Sequence, residues 1–161
     1  MPKSNNTKET SASGSIKAVK IWHQGGSNPG DCTPGAWRER PLDSISDPDS
    51  LGITVSSNRI YFNSDLTITI KVHSIMFLSG NVQMRLFDQD DQVIATSSTT
   101  ANAGYSCEMH MEWAGQVTSS TNFRLQYYCT NLRSNNGLGN IGGDPSATQN
   151  SAVMVDITAY L

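Results

Sequence analysis

A strict alternation of apolar and polar side chains is the feature that most limits how this chain can fold. In residues 66–72 every second position is Leu, Ile or Val, and the positions between them are Thr or Lys. A period of two places the apolar set on one face of a β-strand. The same alternation recurs in residues 82–86, 107–113, 123–129 and 153–159, and shorter candidate strands lie at 19–22, 37–42, 53–55, 60–62 and 93–96. Each of the longer segments is therefore predicted to be an antiparallel strand with one face buried.

Turn-forming residues separate these segments, and no stretch shows a helical period. The turn signals are Asn28-Pro29-Gly30, Asp47-Pro48-Asp49, Ser79-Gly80-Asn81 and Asp90-Asp91. Roughly eight to ten short strands with turns between them are typical of an all-β sandwich. The chain has 161 residues, which leaves room for one domain. We predict an antiparallel β-sandwich over residues 16–161, with a jelly roll as the leading form.

Residues 1–15 are polar and form a separate unit in this prediction. They contain too little apolar surface to offset the entropy of ordering them. Residues 1–20 carry four lysines against Glu9, a charge of +3, which leaves −6 for residues 21–161 because the whole chain carries −3. We expect this basic arm, with Lys3, Lys8 and Lys17, to anchor the protein to a larger assembly. The acidic remainder argues against nucleic-acid binding.

The sequence contains no hydrophobic segment long enough to span a membrane. The longest apolar runs are three or four residues, such as 75–78, whereas a membrane-spanning helix needs about 20. The first residues also lack the apolar core of a secretory signal. We therefore expect no membrane partner and a chain that begins in a cytosol.

Several separated motifs together resemble a known family. They are Gly35-Ala36-Trp37-Arg38-Glu39-Arg40-Pro41-Leu42-Asp43 after Trp22, and residues 53–60, 85–88, 123–129, 136–139 and 153–157. In this order and spacing they resemble the small C1q/TNF-like domains of bacteriophage tail-fibre and other virion proteins, over about residues 19–161. The resemblance implies a ten-stranded jelly roll that forms a homotrimer on a virion, often touches the host surface and has no enzymatic activity.

The last strand is where the resemblance and the residue pattern agree. Met154 and Tyr160 lie opposite its Val and Ile row, so side chains worth burying are present on both faces. Apolar side chains on both faces are expected of a strand that packs against another subunit, and not of a strand with one face exposed to solvent. The predicted trimer interface comprises Met154, Asp156, Tyr160 and Tyr127. The sequence departs from the family pattern in having Val82 and Tyr127 where histidines are expected, which puts an axial metal site in doubt.

Candidate ligand sites are few. Asp88, Asp90 and Asp91 crowd one turn and suit calcium, because that ion prefers oxygen ligands, although aspartates are also common in plain turns. The three histidines are isolated in the sequence and show no catalytic motif, so we predict no catalytic site and no cofactor. The glycine-rich segment 131–150 is long for a loop. We assign it to partner binding through Arg133, Asn135, Asn136 and Leu138.

Two further features leave alternatives open. Trp37, with Arg38 and Arg40, forms either an exposed recognition edge or a core tryptophan flanked by solvated arginines. Cys32, Cys107 and Cys129 are an odd number without metal-ligand spacing, which argues against a disulfide scaffold but leaves one pair possible.

The leading functional hypothesis is a non-enzymatic virion structural protein that is assembled in the host cytoplasm. It is a homotrimeric knob that acts as a tail-fibre or spike head and binds a host surface glycan or protein. Its other partners are capsid, portal or tail proteins. The alternatives are a capsid decoration protein held by the basic arm and, from a different class, a secreted C1q/TNF-like ligand.

Overall fold

The computed structural model describes residues 14–23, 33–130 and 153–161, with residues 75–80 and 100–107 described by their backbone alone. All regular structure in these ranges is β-strand, and none of their residues lies in a helix. Accordingly, the described residues include no helix of the length and hydrophobicity needed to cross a bilayer.

Ten strands follow one another along the described chain, and every predicted strand except 37–42 lies within one of them. They are β1 Ile16–Trp22, β2 Arg38–Glu39, β3 Ser44–Ser46, β4 Ile53–Ser56, β5 Arg59–Phe62, β6 Leu66–Phe87, β7 Val93–Thr96, β8 Thr100–Val117, β9 Asn122–Cys129 and β10 Val153–Tyr160.

The strands form two antiparallel layers that share the long strand β6. Its first part pairs with β10 and β8, which gives a first sheet in the order β3-β1-β10-β6-β8. Its last part pairs with β9 and β7, which gives a second sheet in the order β4-β5-β9-β6-β7, and β2 also pairs with β9. The predicted all-β sandwich is therefore confirmed.

The hydrophobic core lies between the two sheets and is formed by the apolar rows of the alternating segments. Ile70 of β6, Ile157 of β10 and Val19 of β1 have no exposed surface, since they point inward from neighbouring strands of the first sheet. Phe123 of the second sheet meets the rings of Phe62 and Trp113 edge to face, with centroids 5.3 and 5.2 Å apart. This geometry is the favoured one for aromatic pairs.

The turn predicted at Ser79-Gly80-Asn81 is wrong, because β6 continues through these residues. Ser79, Gly80 and Asn81 pair with residues 101–103 of β8, after a register shift between Phe77 and Ser79. The local turn propensity is overridden by the ladder, which satisfies the backbone groups of both strands. The irregularity in register is a β-bulge or a similar local feature of the kind that bends a strand.

Other local predictions have mixed outcomes. Turns are present at Pro48-Asp49 and Gln89-Asp90, whereas only Arg38–Glu39 of the predicted strand 37–42 pairs with a neighbour. The Asn28-Pro29-Gly30 signal lies outside the described residues. Strand β3 was not predicted, since three residues are too few to show a period.

The first strand of the described residues includes Lys17 and pairs with the last strand. The backbone N–H of Leu161 donates to the carbonyl of Ser15 at 3.0 Å, and β1 begins at Ile16. Lys17 therefore belongs to the first sheet, where its Nζ approaches the carbonyl of Asp49 at 3.4 Å, and its assignment to the arm is corrected. Lys3 and Lys8 lie outside the described residues.

Candidate subunit interface

The side chains of the first sheet that point away from the core form a surface that we call the outer face. Strand β10 lies between β1 and β6, so Met154, Asp156, Thr158 and Tyr160 run along the middle of this face. The first three are half-buried and Tyr160 is exposed. The alternation places them there because the inward positions of β10 are filled by Val, Ile and Ala.

Opposite charges alternate in one row across the outer face. The strand register aligns Lys20, Asp156, Lys71 and Glu112 on β1, β10, β6 and β8. The ammonium of Lys20 lies 3.9 Å from the carboxylate of Asp156, and that of Lys71 lies 4.0 Å from the carboxylate of Glu112. Exposed pairs of this kind contribute little stability. The row nevertheless has no net charge, so it does not repel a second copy of the chain.

One end of the outer face exposes large apolar side chains next to each other. Ile16 and Tyr160 are cross-strand partners and are 69% and 47% exposed, and the adjacent Leu161 is 52% exposed. The Tyr160 hydroxyl lies 3.4 Å from the hydroxyl of Thr69. A depression of approximately 370 Å³ lies beside Tyr160 and Leu161. These residues form an exposed apolar patch at this end of the face.

At the other end of the outer face, two imidazole rings stack. His73 of β6 and His110 of β8 are cross-strand partners, and their rings are parallel within 2° with centroids 4.6 Å apart. The Nε2 atom of each ring lies 3.7 Å from one carboxylate oxygen of Glu108. A depression of approximately 470 Å³ lies between these histidines, Lys71 and Asp156.

The histidine and glutamate cluster was not found from the sequence. Glu108 and His110 are two residues apart, and this spacing already places them on one face of a strand. The third member, His73, comes from a different strand, and only the register of β6 against β8 brings it opposite His110.

The predicted interface residues do not all lie on the outer face. Met154, Asp156 and Tyr160 do, but Tyr127 of β9 is 1% exposed and lies in the core between the sheets. The prediction is therefore wrong for Tyr127, because a side chain enclosed by its own subunit is not offered to another. Its ring lies 5.5 Å from the guanidinium of Arg40.

Burial changes the interpretation of the arginines near Trp37. Arg40 is 1% exposed, and loss of water around its guanidinium lowers its pKa to about 10. Arg38 is exposed and donates to the hydroxyl of Thr33. Trp37 is half-buried, with the guanidinium of Arg85 3.9 Å from its ring centroid. One of the two arginines is thus a core residue, which neither of the sequence alternatives anticipated.

Arginine and aromatic side chains also stack on the outward side of the second sheet. Arg85 lies over Phe87 as well as Trp37, and Arg124 lies over Phe87 at 4.5 Å. Desolvation, together with the nearby charge of Arg124, lowers the pKa of Arg85. The carboxylate of Asp91 holds Arg124 at 2.8 Å. These cations are therefore already engaged by groups of the same chain.

Each of the three aspartates proposed for calcium has one carboxylate oxygen that accepts from a neighbouring group of the chain. Asp88 accepts the backbone N–H groups of Asp90 and Gln92 at 3.0 and 2.8 Å. Asp91 accepts from Arg124, and Asp90 accepts from the amide of Gln89. They act here as turn residues. Of the described residues, only His73, Glu108 and His110 bring three metal-ligating groups within 4.8 Å of one another.

Two other predicted features are only partly visible. Arg133, Asn135, Asn136 and Leu138 of the predicted partner loop lie outside the described residues. Cys129 of β9 is disulfide-bonded, so the possibility of one cysteine pair is realised. Its partner lies outside the described side chains.

Comparison with known proteins supports the fold alone. No family model matches the chain, and no curated protein matches it. Similar solved structures include the globular domain of zebrafish complement 1qA protein, with a TM-score of 0.50, 8% identity and coverage of 91% of this chain and 97% of that one. They also include the Eiger TNF of S. frugiperda, with a TM-score of 0.57, 8% identity and coverage of 89% and 92%. The chain thus has a C1q/TNF-like jelly-roll fold.

Proposed function

We propose that this chain is a non-enzymatic, homotrimeric jelly-roll head on a virus particle that attaches the particle to a host surface. The outer face is the observation that carries the trimeric part of this proposal, and the particle and the host surface rest on the resemblance to virion domains. Its middle strand, β10, is half-buried by its own neighbours and carries Met154 and Tyr160 outward. A second copy of the chain is the occupant that suits a face with a charge-neutral row and an apolar end.

Homotrimeric assembly fits this face for two reasons. The C1q/TNF-like resemblance implies threefold assembly with the last strand near the axis, and β10 is the central strand of the first sheet. Exposed apolar side chains that cluster in one place are typical of interaction surfaces. Ile16, Tyr160 and Leu161 form such a cluster at one end.

A secreted ligand of the C1q/TNF type is the second candidate, because the disulfide of Cys129 suits a chain that leaves the cytosol. Disulfides persist in oxidising surroundings such as the extracellular space and the surfaces of virions. The bond is therefore compatible with a virion surface and with the extracellular space, and it argues against a protein that stays in a reducing cytosol. A capsid decoration protein differs from both in depending on residues 1–15 for its attachment.

Two measurements test the proposal. Light scattering coupled to gel filtration should give three times the chain mass of 17.5 kDa at micromolar concentration, and a stable monomer would contradict trimerisation. Gold-labelled antibody against the purified chain should mark particles from a producing culture at discrete sites. Label found only in the particle-free medium would favour the secreted ligand. Loss of particle label on deletion of residues 1–15 would favour attachment through the arm.

A further inference from the structure

We propose that His73, Glu108 and His110 bind a zinc ion at the end of the outer face. The site uses two imidazole nitrogens and one carboxylate oxygen, which are donors that zinc takes in proteins. All three come from one chain, so the inference depends on neither the proposed assembly nor the proposed location.

The geometry of the three side chains is close to that of a metal site. Their ligating atoms lie within 4.8 Å of one another, and each Nε2 atom is 3.7 Å from the same oxygen of Glu108. Zinc binds nitrogen and oxygen at about 2.0–2.2 Å, so small rotations of these side chains bring all three into reach. Glu108 and His110 are well exposed and are free to make those rotations.

A second observation concerns His73 itself. Its Nε2 atom is shielded from solvent and forms no hydrogen bond within the described part of the chain. Its position is fixed because β6 is held between β10 and β8. A shielded nitrogen that faces a carboxylate without a hydrogen bond gains a partner when a cation lies between them.

The strand arrangement explains why these side chains converge. Glu108 and His110 are neighbours on the outward face of β8, and His73 is the cross-strand partner of His110. Directly paired residues have Cβ atoms about 4.5–5.5 Å apart. With three protein ligands, the fourth position of a tetrahedral zinc remains open for water or for a donor from another molecule.

Calorimetric titration of the untagged chain with zinc chloride tests the site. We expect one zinc per chain, with affinity at least roughly tenfold weaker in His110→Gln and in Glu108→Gln. Glu112→Gln is the matched control, because Glu112 is the next outward residue of β8 and lies outside the cluster. Its affinity should equal that of the wild type. The three substituted residues, Glu108, His110 and Glu112, are exposed. Circular dichroism should therefore show that the variants fold as the wild type does.

Nuclear magnetic resonance of the imidazoles supplies a readout that identifies the ligands. The chain has three histidines, and His23 is a built-in control because it is buried, with its Nδ1 2.8 Å from the carboxylate of Asp43. Zinc should shift the signals of His73 and His110 and leave those of His23 in place. Absence of binding, or equal binding by the His110→Gln and Glu108→Gln variants, would overturn the site. A zinc-binding monomer would leave the site standing while refuting the trimer.

Discussion

Substitution of Thr158 by Lys is a direct test of whether the outer face is buried between subunits. Thr158 is half-buried in the middle of β10 and pairs with Ala18 on one side and Thr69 on the other. A lysine here can extend into water when the chain is alone. The nearest outward carboxylate on β10 is that of Asp156, which already lies beside Lys20, so the new ammonium has no free partner.

The expected loss of association free energy follows from enclosing this ammonium in the trimer interface. An uncompensated buried charge costs about 3–5 kcal/mol, and the trimer contains three copies. At the lower value the assembly loses about 9 kcal/mol, which corresponds to roughly a 10⁶-fold weaker association at 1.4 kcal/mol per factor of ten. A trimer stable at micromolar concentration should therefore separate into monomers.

Light scattering coupled to gel filtration measures the mass, and circular dichroism confirms that the monomer keeps its strands. The matched control is Thr54→Lys, which places the same change on an exposed position of β4 in the second sheet. We expect Thr54→Lys to retain the wild-type mass and Thr158→Lys to fall to the monomer mass. The reasoning is refuted if Thr158→Lys keeps the mass of a wild-type trimer.

Three further predictions concern the stability of the folded chain. Phe123→Leu removes two edge-to-face contacts, to Phe62 and Trp113, and should lower the free energy of unfolding by about 1–3 kcal/mol; a loss near zero in urea titration would contradict the packing. Reduction of the disulfide at Cys129 should lower it by about 2–4 kcal/mol, and identical urea midpoints with and without reductant would disprove this. The pKa of Arg40 is lowered to about 10 in the folded chain, so above pH 10 the unfolded chain binds more protons and the contribution of Arg40 to stability rises with pH. The difference in the free energy of unfolding between the wild type and Arg40→Met should therefore shift in favour of the wild type between pH 8 and pH 11. A difference that does not change with pH would count against burial of the charge.

The sequence by itself determined the fold class and most of the core. Alternation is a local property, since successive side chains of a strand point to opposite faces wherever that strand is placed. The buried rows of residues 66–72 and 153–159 could therefore be predicted without knowing which strands lie beside them. The same rule placed Tyr127 in an inward row with Leu125 and Cys129, and the structure confirms that row rather than the interface role. Asp88 and Asp90 were likewise readable as turn residues, because their contacts are local.

Only the tertiary structure decided which strands lie side by side and in what register. A slip of one residue moves every side chain of a strand to the other face relative to its partner. Nothing near Ser79 in the sequence reveals that β6 continues through a turn-like segment to pair with β8. His73 and His110 meet because that long pairing aligns them across 37 residues of chain. The burial of Arg40 was hidden for the same reason, since its guanidinium lies beside the ring of Tyr127, which is distant in sequence.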